Sequence, residues 1–161
     1  MKNLRTSVLC VCVTLYSLCA AAQKNVGVPI NEPDYNKPKL FKNLPDNIPV
    51  SIDKINSLFS IQPGEPVDAT LSEASSLSSF QFKGQVISSG TKYNNTMQSI
   101  VISSSEYNGA RFTITKVIDE TGVTAFRGRI VSLQSGDLFE LQNINGKYSL
   151  IKRNLYDMVS E

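Results

Sequence analysis

The sequence predicts a mainly β protein of the α+β kind. The expected form is an antiparallel meander of about six strands, rolled or half-barrel, with one N-terminal helix. Three observations carry this. From Phe80 onward apolar residues alternate with polar ones at a period of two, the mark of a strand with one buried face. Turn pairs rich in Gly, Asn, Asp and Ser interrupt that pattern at short intervals, with no helical crossover between runs, as antiparallel neighbours require. Only one stretch, residues 51–61, carries apolar residues at three- and four-residue spacing.

Taken in order, residues 1–22 read as a secretory signal. Lys2 and Arg5 precede an uncharged stretch from Ser7 to Leu18, and Ala20-Ala21-Ala22 supplies small residues for cleavage before Gln23. The stretch is shorter than the about 18 apolar residues that span a bilayer, so no membrane span is expected after cleavage. Residues 23–49 hold five of the seven prolines. Proline removes backbone donors and disfavours helix at the residue before it, which predicts an extended arm. The arm is either a spacer or a segment that packs Leu40, Phe41 and Leu44 onto the domain or a partner. Residues 50–161 are expected to form a single β-rich domain, with strands within 66–153.

Within that domain Ser51 is placed to cap a helix whose stripe is Ile52, Ile55, Leu58 and Phe59, closed by Pro63-Gly64. Val67, Ala69 and Leu71 suggest a short strand, and a serine-rich connection follows. The regular β runs then hold Phe80, Phe82 and Val86; Ile100, Val101 and Ile102; Phe112, Ile114 and Ile118; Phe126 and Ile130; Leu138, Phe139 and Leu141; and Tyr148 with Leu150. Ser89-Gly90, Asn108-Gly109, Thr121-Gly122, Ser135-Gly136-Asp137 and Asn145-Gly146 are the turn signals. Asn-Gly suits tight hairpins because both central residues need positive φ. The tail from Asn154 is expected to add a last helical turn or an edge strand.

Composition narrows the chemistry. The 161 residues include 16 Lys and Arg, 14 Asp and Glu, and no His. Without His, Ser-His-Asp and Cys-His nucleophiles and His metal sites are absent. Loss of residues 1–22 removes Lys2, Arg5 and all three cysteines, Cys10, Cys12 and Cys19. The cysteine-free mature chain then carries equal numbers of acidic and basic side chains, which gives no polyelectrolyte case for nucleic acid. No cofactor and no metal are expected.

The best candidate binding residues are Arg127 and Arg129. Two apart on one strand, they share a face of the sheet. Lys116 on the preceding strand, and Asp137 and Glu140 beyond the next turn, complete the candidate set. This set is either a solvent-facing ladder of cross-strand pairs or a cationic strip that grips a carboxylate, sulfate or phosphate, a task suited to the planar fork of arginine. Asp137 and Glu140 are also the one carboxylate pair worth weighing for a glycosidase. Asp119-Glu120-Thr121-Gly122 reads as a hairpin turn, because it lacks the spaced ligands of a calcium loop.

Tyr93-Asn94-Asn95, Tyr107-Asn108-Gly109-Ala110-Arg111, Gly128-Arg129-Ile130, Gly136-Asp137-Leu138-Phe139-Glu140-Leu141 and Tyr148-Ser149-Leu150-Ile151-Lys152 give the second half of the chain a resemblance to small exported β-rich bacterial proteins. The resemblance implies export and a β fold, and brings no activity with it. The functional expectation is an exported, secreted or periplasmic, non-enzymatic binding or accessory domain. Its expected partner is another exported protein or an envelope glycan. The alternatives are a carboxylate-based hydrolase acting on polysaccharide and a carrier of a small apolar ligand.

Overall fold

A computed structural model describes residues 34–74 and 79–158. The proposed signal, residues 1–22, and the first part of the arm lie outside the described residues. A compact unit begins at Tyr35.

The described residues form one antiparallel sheet of eight strands with a single short helix. The strands are β1 (Asn47–Pro49), β2 (Pro66–Thr70), β3 (Gln81–Lys92), β4 (Met97–Ser104), β5 (Arg111–Ile118), β6 (Thr124–Val131), β7 (Asp137–Ile144) and β8 (Lys147–Asn154). Their spatial order is β1-β8-β7-β6-β5-β4-β3-β2. From β2 to β8 each strand therefore lies beside its neighbour in sequence, a meander. The expected class holds, but the count of six falls short. The six regular runs are β3 to β8, and the Val67 run is β2. The strand outside the expected count, β1, comes from the proline-rich arm. Proline is tolerated there because β1 is an edge strand, where a missing N–H breaks no ladder.

The sheet curls into a half-barrel. Its two edges meet at one corner, where Val50, just past β1, bridges Ser72, just past β2. Ser51 N–H donates to Leu71 O at 2.9 Å and Glu73 N–H to Pro49 O at 3.1 Å. Phe82, Ile100, Ile102, Phe112, Ile114, Ile130, Phe139 and Leu150 line the inner face and are fully buried. Helix α1 (Ile52–Ser57) and a 3₁₀ turn (Leu58–Ser60) bring Ile55 and Leu58 into the same core. Ser51 stands at the N-cap position with extended backbone, but its side chain makes no capping bond. The predicted cap is thus absent; the Ser51 backbone instead joins Leu71 and Ile55.

Close strand contact sets one strict requirement. A Cβ on Gly84 would lie 2.1 Å from the backbone oxygen of Ser103 on β4, far inside any permitted contact. Gly84→Ala therefore has to push β3 off β4. We expect a loss of about 1–3 kcal/mol or more, measured as a lower thermal midpoint; an unchanged midpoint would show that the strands part freely.

Two turn expectations resolve differently. Ser89-Gly90 is no turn: β3 runs through it to Lys92, after a bulge at Ile87 that shifts the register between Val86–Ile102 and Ser88–Val101. The chain reverses at Tyr93–Thr96, where Tyr93, Asn94 and Asn95 all have positive φ, 52°, 52° and 70°. Asn tolerates that region through its short polar side chain. At the β5–β6 turn the hairpin reading stands. Asp119 Oδ1 accepts from Thr121 N–H (2.9 Å), Thr121 Oγ1 (2.7 Å) and Val123 N–H (2.9 Å). These donors, the Thr121 hydroxyl first, hold the carboxyl below the usual aspartate range. A lowered pKa favours the fold above the unfolded value and loses that contribution as pH falls through the folded one. Acidification is expected to lower the exchange protection of the Thr121 and Val123 amides, relative to their intrinsic rates at each pH, before that of the core; a uniform change in protection would contradict this.

Residues 37–46 lie against the β7–β8 end of the sheet. Lys37 Nζ donates to Leu133 O at 2.8 Å, and Gly136 N–H to Pro38 O at 3.0 Å. Phe41 is fully buried, with ring centroids 5.1 Å from Phe139 and 5.3 Å from Tyr107. Lys152, on β8, pairs with Asp46 at 3.0 Å, donates to Leu44 O and lies 5.9 Å from the centre of the Phe139 ring. The described residues close with a 3₁₀ turn over Tyr156–Met158. Among the described residues no helix is long and apolar enough to cross a membrane.

Candidate functional site

Register decides which candidate residues meet. On the outer face one rung runs from Val101 through Thr113 and Arg129 to Glu140 and Ile151. The next rung runs from Ser99 through Thr115 to Arg127 and stops there. It stops because the β6–β7 ladder extends only from Val131–Leu138 to Gly128–Leu141. Thr124–Arg127 keep β5 as their strand partner, and Gln142–Ile144 keep β8. The two strands fork.

The fork opens as a groove of about 670 Å³. Thr113, Thr115, Arg127, Arg129, Glu140 and Gln142 lie along it, and Tyr148 lies within it. Tyr148 Oη accepts from the Phe126 N–H at 3.1 Å, in place of a β7 carbonyl. The two rings meet edge to face, 5.8 Å apart at 89°.

Charge along this face is uneven. Glu140 takes Arg129 at 3.5 Å, Arg153 at 4.0 Å and the Gln142 amide at 2.7 Å. The two arginine contacts are the cross-strand pairs of the ladder reading, and they are partly exposed, so each is worth at most about 1 kcal/mol; Gln142 lies on the same strand as Glu140. Arg127 is exposed, and its rung never reaches a carboxylate. Among the described residues it has no ion pair. The candidate set therefore divides: Arg127, Arg129 and Glu140 share the outer face.

Lys116 and Asp137 do not join them. Lys116 lies opposite Phe126, in step with the inward-facing Ile114, and donates to Asn56 Oδ1 in the last turn of helix α1 at 2.9 Å. The choice of face depended on strand register, and Lys116 falls on the wrong one. Asp137 is 1 % exposed. Its two oxygens accept from Leu40 N–H at 2.7 Å and Phe41 N–H at 2.9 Å, so it fastens the arm instead of facing a ligand. A glycosidase pair of Asp137 and Glu140 has no geometric basis, since one carboxylate is enclosed by backbone amides.

Sequence reasoning missed Arg111 and Arg153. Arg111 is exposed on the outer face opposite Ser103 and Val131. Arg153 reaches Glu140 from β8. The alternation of Arg111 with Thr113 and Thr115 was visible; their proximity to Arg129 needed the register. Among the described residues no group of His, Cys, Asp and Glu is placed to hold a metal.

Fold and groove together describe a curled antiparallel β-sheet with an arginine-rich fork on its outer face. No family model, curated protein or solved structure matches the chain.

Proposed function

We propose that this chain is a non-enzymatic binding module whose outer-face fork holds an anionic group. The observation that carries the reading is Arg127: exposed, set in the groove and lacking an ion-pair partner among the described residues. A guanidinium in a groove with hydroxyls from Thr113 and Thr115 suits a carboxylate, sulfate or phosphate, which it can grip bidentately.

The competing readings draw less support. Polysaccharide hydrolysis takes two carboxylates across a cleft, and the groove's lining holds Glu140 alone, already engaged by Arg129, Arg153 and Gln142. A carrier of an apolar ligand needs an open interior, whereas aromatic and aliphatic side chains pack the inner face. Export belongs to the same proposal, with residues 1–22 as its signal; the mass of the chain recovered outside the cytoplasm tests the cleavage before Gln23.

The binding test is a titration of the labelled protein with a panel of acidic peptides, oligouronates and sulfated oligosaccharides. We expect amide shifts confined to Thr113–Thr115, Ala125–Arg129 and Glu140–Asn143 for at least one class. The double substitution Arg127→Ala with Arg129→Ala should weaken that ligand by about tenfold or more, the equivalent of about 1.4 kcal/mol. Equal affinity for the double variant would refute the groove as the binding face.

A further inference from the structure

The fork offers more than a cation. In an antiparallel strand the N–H and C=O of one residue point the same way, and successive residues alternate. The Phe126 N–H points to the β7 side, where the Tyr148 hydroxyl takes it. Its carbonyl therefore faces the fork too. Phe126 pairs with Lys116 across β5 as a non-hydrogen-bonded pair, and the next β7-side ladder contact is at Gly128. The start of β6 is thus an interior strand edge within an eight-stranded sheet, paired with β5 on one side and met on the β7 side by a side-chain hydroxyl instead of a strand.

We propose that the fork binds an extended acidic peptide, which pairs with Ala125–Arg127 as an added strand. This rests on the anionic-groove reading and names its ligand. Strand addition draws affinity from main-chain hydrogen bonds and specificity from alternate side chains. The peptide residue opposite Phe126 exchanges both backbone bonds with it, its carbonyl replacing the Tyr148 hydroxyl on the Phe126 N–H. Directly opposed residues share a face. That central side chain therefore turns inward toward Phe126 and Tyr148 and is apolar. Its two neighbours turn outward opposite Ala125 and Arg127, and the one opposite Arg127 is acidic. Charge complementarity selects the partner: the rung that ends at Arg127 lacks the carboxylate that the Arg129 rung finds in Glu140.

The probe is a capped pentapeptide of alternating valine and aspartate, with a central valine, titrated into the labelled protein by NMR. Its companions are the same peptide N-methylated at the central valine, an alternating valine–lysine peptide and an oligouronate. The expected result is a shift of the Phe126, Arg127 and Asn143 amides by the aspartate peptide and none by the lysine peptide. N-methylation and Arg127→Ala should each weaken binding by about tenfold or more. If the N-methylated peptide binds equally well while Arg127→Ala still weakens it, strand pairing is wrong and the anionic groove stands. If the oligouronate binds through Arg127 and the peptide does not, the peptide class is wrong and the groove again stands. If Arg127→Ala changes no ligand's affinity, both readings fall together.

Discussion

Replacing Phe41 with alanine is expected to cost about 3–5 kcal/mol of folding stability, a large share of what a domain of this size has. Phe41 belongs to a segment whose composition suggests a spacer. Yet its ring is fully buried and sits within 5.1 Å of Phe139 and 5.3 Å of Tyr107, centroid to centroid. Phe139 also contacts Phe80, at 6.1 Å. The truncation removes the ring that joins this cluster and leaves a cavity, and the surrounding sheet, tied by ladders on both sides of β7, has little freedom to collapse into it. Urea unfolding measures the loss as a lower midpoint at constant slope. A change under about 1 kcal/mol would place Phe41 outside the cooperative unit.

A comparable loss, about 3–5 kcal/mol, is expected for Asp137→Ala. Each backbone N–H bond to a carboxylate is worth about 1.5–3 kcal/mol, and an abandoned buried donor costs more than a lost exposed one. Asp137 makes two such bonds, to the adjacent amides of Leu40 and Phe41. Alanine strands both. Asparagine keeps the shape but turns one acceptor into a donor facing an N–H, so it should recover only part of the loss. Since Asp137 fixes the backbone that delivers the Phe41 ring, the two substitutions should not add. The double variant is expected to fall short of the sum by about 0.5–3 kcal/mol. Strict additivity would mean that the carboxylate and the ring stabilise the fold independently.

These two residues also mark where the sequence stopped being legible. Strands β3 to β8 were readable because one face is buried, and the period of two at Phe80–Phe82 or Phe112–Ile114 follows directly from that. β1 was not readable, because three residues ending in proline carry no period, and their partners on β8 lie about a hundred residues away. Asp137 sits in a Ser-Gly-Asp turn signal, and turn aspartates are ordinarily solvated. Its donors come from residues 96 and 97 positions away, a distance over which sequence spacing says nothing. The shared face of Arg127 and Arg129 was legible from spacing alone. The fork beside them was not, since a strand that loses its neighbour halfway keeps the same alternation. Ser89-Gly90 misled because glycine marks turns more often than strand interiors, and here Gly90 lies within β3, where an added Cβ would meet only the Ser99 hydroxyl, at 3.8 Å.

The corner contact between Val50 and Ser72 has a consequence for assembly. It places both ends of the sheet in each other's keeping. β1 covers β8 through Asn47–Ile151, Ile48–Leu150 and Pro49–Ser149, pairings about a hundred residues apart, and long-range pairings of this kind are slow to form. Until they form, β8 presents bare backbone with Leu150 and Ile151 upon it, a template for another copy of the same chain. The segment of this sheet that is synthesised first therefore cannot pair until the strand synthesised last is available. A chain that has folded everything but β1 is the species most exposed to self-association.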